Sequence, residues 1–210
     1  MNTGHRTQQE RSSRTRALLL DATVDCLVEL GYAHTTVAEI CQRAGLSRGA
    51  QQHHFTTKAE LMTSALEHLF TQLGAKILEA ELPAGPGRLE QGIDLLWEAY
   101  SGTLSTAAVE LWVAARTDDE LRRGLLPVDR ALGHATLEFY RQLVGEVDAA
   151  ELETLLLLTV NLFRGLALDA MIGGDPGRRT VLLSEWKALV LRRRLARPSL
   201  GPTAATQPPD

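Results

Sequence analysis

Cysteine, aromatic residues and catalytic motifs are all scarce in this chain of 210 residues. Cys26 and Cys41, its two cysteines, both fall inside predicted helices, so we expect reduced thiols that pack as small apolar side chains, with a redox sensor as the alternative. The sequence has no Gly-rich phosphate loop, no His, Cys and Glu set with metal-ligand spacing and no nucleophile elbow. It therefore predicts no enzyme activity, no cofactor and no metal site.

A long uninterrupted apolar run is also missing. The longest one, Leu155 to Ala170, is broken by Asn161, Arg164 and Asp169, so we do not expect it to span a membrane. Residues 1–16 are polar and rich in Arg, without the apolar segment of a signal peptide. We therefore expect a cytoplasmic protein with no membrane partner.

Stretches of alternating β-branched residues, the usual pattern of strands, do not occur. Aliphatic residues recur instead at helical spacing along most of the chain, while aromatic residues make up only 5% of it. Both features predict an all-α fold of about nine helices.

Charge is distributed unevenly along the sequence. The net charge of −4 argues against non-specific binding of nucleic acid by the whole molecule. However, residues 1–60 hold seven Lys or Arg and six Asp or Glu, whereas residues 61–210 hold 15 and 20. The basic charge therefore lies at the end of the chain where a DNA-facing surface would need it.

The stretch Thr36–Lys58, TVAEICQRAGLSRGAQQHHFTTK, has the pattern of two short helices joined by a tight turn. Thr36 can cap the first helix, Gly45 can adopt the positive φ that ends it, and Ser47 can cap the second. We expect the exposed face of the second helix to carry Arg48, Gln51, Gln52 and His53. This arrangement predicts a helix-turn-helix, in which the second helix enters the DNA major groove.

Gly and Pro residues divide the rest of the chain. A basic arm over residues 1–10 is expected to precede a helix from about Arg11 to Leu30, and Pro83–Gly87 is the clearest later break. Pro127 is expected to kink or restart the helix that contains it. We predict three regions: an N-terminal DNA-binding domain with this arm, a connecting helix plus C-terminal domain, and a disordered tail, over residues 1–56, 57–196 and 197–210.

With these residues placed, the chain resembles the TetR family of bacterial transcriptional regulators. The resemblance rests on Thr35–Leu61, TTVAEICQRAGLSRGAQQHHFTTKAEL, with its threonines, its Ala-Gly-Leu-Ser turn and its His-Phe pair before a capped Lys. It implies an all-helical homodimer that binds a palindromic operator on double-stranded DNA. It also implies a small-molecule effector in the C-terminal domain that releases the protein from DNA, or sometimes recruits it.

The resemblance carries residue roles only where the motif matches. Thr36 would offer its hydroxyl and the nearby amides to a phosphate, because a helix N-terminus attracts anions. Lys58 is placed like the phosphate-binding lysine of the family, and Ser47 and Arg48 should reach bases or phosphates. The residue nearest the DNA among the N-terminal arginines is expected to be Arg14, through general attraction; the alternative is a solvated tail.

The chain departs from the family pattern at Gln51 and Gln52, where members commonly have Leu-Tyr and the Tyr contacts a backbone phosphate. Gln can bond to N6 and N7 of adenine, so we expect at least one of the two to read a base, and His53 to face the groove. The alternative is that both Gln residues are solvated side chains on the helix surface.

Two features of the C-terminal part suggest a dimer and a pocket. Helices over about 149–172 and 178–195 are apolar on more faces than one core can bury, which predicts an isologous four-helix interface between two subunits. Large or polar side chains on core-facing stripes are candidates for the lining of an effector pocket, or else ordinary packing residues. These candidates are Trp97, Tyr100, Trp112, Arg116, His134, Phe139, Tyr140, Asn161 and Phe163.

These observations favour a dimeric DNA-binding repressor that a small molecule releases. A regulator whose C-terminal domain only dimerises and binds no effector is the alternative.

Overall fold

A computed structural model describes residues 3–85, 87–145 and 148–195. Every regular element in these ranges is an α-helix, which confirms the predicted all-α fold. In chain order the helices are α1 Thr3–His34, α2 Val37–Ala44, α3 Arg48–His54, α4 Lys58–Glu79, α5 Gly87–Ser101, α6 Thr103–Ala114, α7 Asp119–Val144, α8 Ala149–Met171 and α9 Pro176–Leu195. The predicted tail over residues 197–210 lies outside the described residues.

Two glycines produce the bends that separate the first three helices. Gly31 has φ 71° and breaks the helical backbone near the end of α1. Gly45 has φ 65° at the end of α2, where its N–H donates to the carbonyl of Gln42 and the N–H of Leu46 donates to the carbonyl of Cys41. This pair of bonds is the Schellman arrangement, and it turns the chain from α2 directly into α3.

Two expectations about helix boundaries need correction. The described part of the supposed N-terminal arm, residues 3–10, is helical and continues α1, because residues 8–11 are good helix formers and no proline interrupts them. Of the two outcomes expected at Pro127, a kink or a restart, the restart does not occur: helix α7 continues through Pro127. Pro127 is exposed, so the carbonyl that loses its N–H donor can be hydrated.

The buried side chains form two separate cores. The first joins α1–α4 to one side of α6 and the start of α7, with Leu19, Ile40, Phe55, Leu111 and Leu121 among its members. The second joins α5, the end of α7, α8 and α9. The domain division after residue 56 stays a prediction, and the first core extends across it.

Helix α8 has one buried face and one exposed apolar face. Among the described residues it is the helix whose length and mean hydropathy would allow a membrane crossing, which is weak evidence because a core helix passes the same test. Its exposed face carries Leu157, Leu158 and Leu168, and the neighbouring α9 exposes Val181 and Leu189. The two helices therefore present a shared apolar surface to solvent, as the dimer prediction requires.

Candidate DNA-binding surface and ligand cavity

The N-terminus of α2 faces solvent through Thr36. The Thr36 hydroxyl accepts a hydrogen bond from the N–H of Glu39 at 3.1 Å, so the predicted cap is present. Thr36 itself is exposed, and its O–H remains able to donate. The capped end of α2 therefore offers a hydroxyl and free amides to an anion such as a DNA phosphate.

Helix α3 presents a polar, solvent-facing surface. Ser47 caps it by accepting a hydrogen bond from the N–H of Ala50 at 3.2 Å. Arg48, Gln52 and His53 are all exposed on this helix. Arg48 and Gln52 are separated by one helical turn and so share a face, which brings a guanidinium and an amide within reach of the same few base pairs.

Gln51 does not belong to this surface, and its assignment as a DNA-reading residue is wrong. Its side chain is only 4% exposed, and its Nε2 donates to the carbonyl of Phe55 at 2.9 Å. Phe55, buried in the first core, lies one turn further on and holds this face of α3 inward. The sequence contained an indication that this position is buried, because family members commonly have an apolar Leu at the position of Gln51.

Lys58 points toward the protein in this conformation. Its Nζ donates to the carbonyl of Tyr32 at 3.2 Å and lies 4.1 Å from the centre of the Tyr32 ring. Burial lowers the pKa of the Lys58 ammonium, and the nearby Asp118 carboxylate opposes that shift. A phosphate contact by Lys58 would therefore require its side chain to leave Tyr32.

Tyr32 connects the helix-turn-helix to the helices behind it. Its N–H donates to Glu110 of α6 at 2.8 Å, and its hydroxyl donates to Asp118, the N-cap of α7, at 3.0 Å. Burial, together with the acceptor Asp118, raises the pKa of Tyr32 to about 12. The N–H of Leu121 and the Tyr32 hydroxyl both donate to Asp118 and hold the pKa of its carboxyl below the usual value. No local sequence pattern predicts this connection, because the partners of Tyr32 are 78 and 86 residues away.

One arginine of α1, Arg16, lies beside α3. The guanidinium of Arg16 lies 5.2 Å from the centre of the Phe55 ring, directly behind the recognition helix. Arg14, one half-turn away, is exposed. The position of Arg14 on a continuous helix means that any attraction to DNA comes from a fixed site on α1 rather than from a loose arm.

An apolar cavity of about 270 Å³ lies among α4, α5, α6 and α7. Its lining is almost entirely apolar and includes Phe70, Leu73, Gly74, Leu96 and Leu132. The polar groups near it are the Tyr100 and Thr136 hydroxyls, which are 3.2 Å apart, and Glu138 and Gln142. Such a cavity suits a small apolar ligand with one group that can hydrogen-bond.

Most of the predicted pocket residues lie elsewhere. Of the nine candidates, Tyr100 and Phe139 line the apolar cavity. Trp97 and Phe163 instead pack against each other in the second core, with ring centres 5.5 Å apart, because both lie on faces that α5 and α8 turn toward one another. His134 is exposed on α7 and lines none of the described cavities. The predictions that Trp97, Phe163 and His134 line the effector pocket are therefore wrong for this cavity.

Trp112 and Arg116 are also absent from the apolar cavity, because the end of α6 turns them to the opposite side. They line a second, more open cleft of about 250 Å³ with residues from the first half of α7. Within the described residues, no group of three or more His, Cys, Asp or Glu side chains is placed to hold a metal ion.

A capped helix-turn-helix with a solvent-facing second helix, carried on a helical body, defines a DNA-binding regulator. The family model for bacterial regulatory proteins of the tetR family matches residues 19–65. Over 170 residues the chain is 36% identical to the HTH-type transcriptional regulator Rv2912c of Mycobacterium tuberculosis, covering 78% of this chain and 86% of the relative. It is 31% identical to CymR of Pseudomonas putida over 190 residues, covering 85% of this chain and 90% of CymR.

The chain belongs to the TetR family of bacterial transcriptional regulators. Members of this family bind DNA and act as dimers, and they are regulators rather than enzymes. The fold agrees: a TetR-family regulator of Mesorhizobium loti matches with a TM-score of 0.67 at 21% identity, covering 89% of this chain and 97% of that one. The multidrug binding protein EbrR, solved in complex with ethidium, matches with a TM-score of 0.62 at 17% identity, covering 85% and 96%.

Proposed function

We propose that this protein is a cytoplasmic, dimeric repressor that a small, mainly apolar effector releases from a palindromic operator. The proposal rests on the position of α4, which adjoins the helix-turn-helix at one end and lines the apolar cavity further along. Its first residue, Lys58, lies beside the helix-turn-helix, and its later residues Phe70, Leu73 and Gly74 line the apolar cavity. One helix thus belongs both to the DNA-binding part and to the cavity.

Operator recognition is assigned to the exposed face of α3. Arg48, which is exposed, would make a bidentate contact with guanine and Gln52 one with adenine, with His53 beside them. Thr36 and Ser47, at the N-termini of α2 and α3, would bind phosphates and fix the register. Lys58 would add a further phosphate contact after leaving Tyr32, and Arg14 would add attraction.

The dimer interface is assigned to the exposed apolar faces of α8 and α9. Leu157, Leu158 and Leu168 recur at helical spacing on α8, which would bury them against a second copy. Gly165 lies on the same face, and a Cβ there would meet nothing within 4 Å, so a partner helix can approach closely. To read two successive major grooves, the two copies of α3 in such a dimer would have to lie about 34 Å apart, one turn of DNA.

Effector action would follow from differential binding. A ligand in the apolar cavity would contact α4 on one side and α5 and α7 on the other. If it fits better when α4 is displaced, it favours a placement of Lys58 and α3 that no longer matches the operator. EbrR, which shares this fold, is complexed with ethidium, and this supports the use of the fold to hold a small molecule.

Operator binding by Arg48→Ala tests the proposal. We expect fluorescence anisotropy with DNA from upstream of the protein's own gene to show affinity reduced by about tenfold or more, the value of one good bidentate contact. Arg130→Ala, an exposed arginine of α7, is the matched control and should bind like the wild type. Equal affinities for the two variants would remove Arg48 from the reading surface.

The alternative, a C-terminal domain without an effector, makes a different prediction. Gly74→Leu would fill the apolar cavity, since a Cβ at Gly74 meets nothing within 4 Å. A screen of small apolar compounds by thermal shift should find compounds that stabilise the wild type but not Gly74→Leu, and these should release the operator. If no compound distinguishes the two proteins, the effector-free alternative holds.

A further inference from the structure

We propose that the open cleft between the end of α6 and the first half of α7 is a second ligand site, for a small amphipathic anion. We call this cleft, of about 250 Å³, the arginine cleft. Its lining comprises Trp112, Arg116, Arg122, Leu125, Leu126 and Asp129, together with Ala115. The inference goes beyond the proposed effector cavity and does not depend on it.

The floor of the arginine cleft is apolar and firmly held. The guanidinium of Arg164, on α8, lies 4.4 Å from the centre of the Trp112 ring and also pairs with Asp129 at 3.1 Å. Arg164 therefore stacks on Trp112 and pairs with Asp129 from outside the cleft, which offsets part of the negative charge that Asp129 brings to the lining. Leu125 is buried beneath, and Leu126 remains 47% exposed at the edge. A flat aromatic or short aliphatic body would cover this exposed apolar surface.

The rim of the arginine cleft carries the guanidinium groups of Arg116 and Arg122. Arg122 pairs with Asp119 at 2.7 Å, but both side chains are more than half exposed, so the pair contributes little and can open. Arg116 is exposed, and its guanidinium has no hydrogen-bond or ion-pair partner among the residues that the structure describes. A carboxylate or sulfonate above Trp112 would gain charge-assisted bonds from Arg116, and from Arg122 after its pair opens.

The arginine cleft is distinct from the apolar cavity, since the two linings share no residue. It is also close to the connection between the two parts of the molecule. Arg116 precedes by two residues Asp118, which caps α7 and accepts the hydrogen bond from Tyr32. An anion bound by Arg116 would thus lie beside the residue that joins α7 to the helix-turn-helix.

Calorimetric titration of the full chain with 2-naphthoate and with the neutral 2-naphthamide tests this site. We expect Arg116→Gln to weaken 2-naphthoate binding by about tenfold and to leave 2-naphthamide binding unchanged, because only the anion uses the guanidinium. Arg123→Gln is the matched control: Arg123 is exposed in the same part of α7, its Nε donates to the carbonyl of Asp119, and it lies outside the cleft. Circular dichroism and thermal unfolding confirm that each variant is folded.

Two further variants locate the bound probe. Leu126→Trp would fill the arginine cleft and should abolish 2-naphthoate binding, whereas Gly74→Leu would fill the apolar cavity and should leave it unchanged. The proposal is overturned if the wild type does not bind 2-naphthoate, if Gly74→Leu abolishes binding, or if Arg116→Gln and Arg123→Gln weaken it equally. The last result would indicate general charge attraction only.

Discussion

Gln51 and Gln52 are adjacent and chemically identical, but the structure gives them separate roles. Gln51→Ala would remove the bond from Nε2 to the Phe55 carbonyl and leave that buried acceptor unpaired, a loss of about 1–3 kcal/mol. The buried methylene removed with it adds about 0.8 kcal/mol. We therefore expect the free energy of unfolding to fall by about 2–4 kcal/mol, and Tm by about 4–16 °C for a chain of this size. Gln51→Leu, which refills the space, should lose less.

Gln52→Ala should have the opposite effects: little change in stability and weaker binding to the operator. Gln52 is exposed, so its loss should change the free energy of unfolding by less than about 0.5 kcal/mol. If Gln52 reads adenine, operator affinity should fall by about tenfold. Differential scanning calorimetry and anisotropy titrations, at one protein concentration and one salt concentration, measure both quantities for both variants. The reasoning is refuted if Gln51→Ala keeps the wild-type Tm and loses the operator.

The remaining predictions concern the dimer and the response to pH. Leu158→Glu should shift the protein from dimer to monomer in sedimentation velocity, because a carboxylate would enter the apolar interface, whereas His134→Glu on the exposed side of α7 should leave the dimer intact. The pKa of Tyr32 is raised from its ordinary value of 10 to about 12, so its contribution to stability is fully present below pH 10 and is lost as the pH rises through 12. In urea unfolding, Tyr32→Phe should remove the part of the decrease in the free energy of unfolding at alkaline pH that comes from ionisation of Tyr32. If this free energy depends on pH in the variant as it does in the wild type, the assignment to Tyr32 is contradicted.

The parts of the fold that depend on neighbouring residues could be predicted from the sequence. Thr36, Ser47 and Asp148 each accept a bond from an amide two or three residues ahead, so their caps follow from local chemistry. The positive φ of Gly45 follows equally from the geometry of a helix end. The prediction of an N-terminal arm was wrong because it was inferred from polarity and charge, and an exposed helix is also polar and charged.

The parts of the candidate site that depend on tertiary packing could not be predicted in the same way. Tyr32 bonds to Glu110 and Asp118, which are 78 and 86 residues away, and no local pattern marks such a pairing. The prediction that Trp97 and Phe163 line the effector pocket was wrong for the same reason. Trp97 and Trp112 both lie on apolar stripes and both pack against a core, and only the arrangement of the helices decides that Trp112 also lines a surface cleft.

The sharing of one core between the helix-turn-helix and the helices behind it limits how this regulator can be recombined with others. Leu104 and Leu111 of α6 are buried in the core that α1 also forms, but α1 and α6 lie on opposite sides of a cut at residue 56. A hybrid joined at residue 56 would combine these side chains with a surface they did not evolve to fit, leaving voids or clashes. Exchange of operator specificity is therefore better done by replacing the exposed side chains of α3 alone, because none of them contributes to that core.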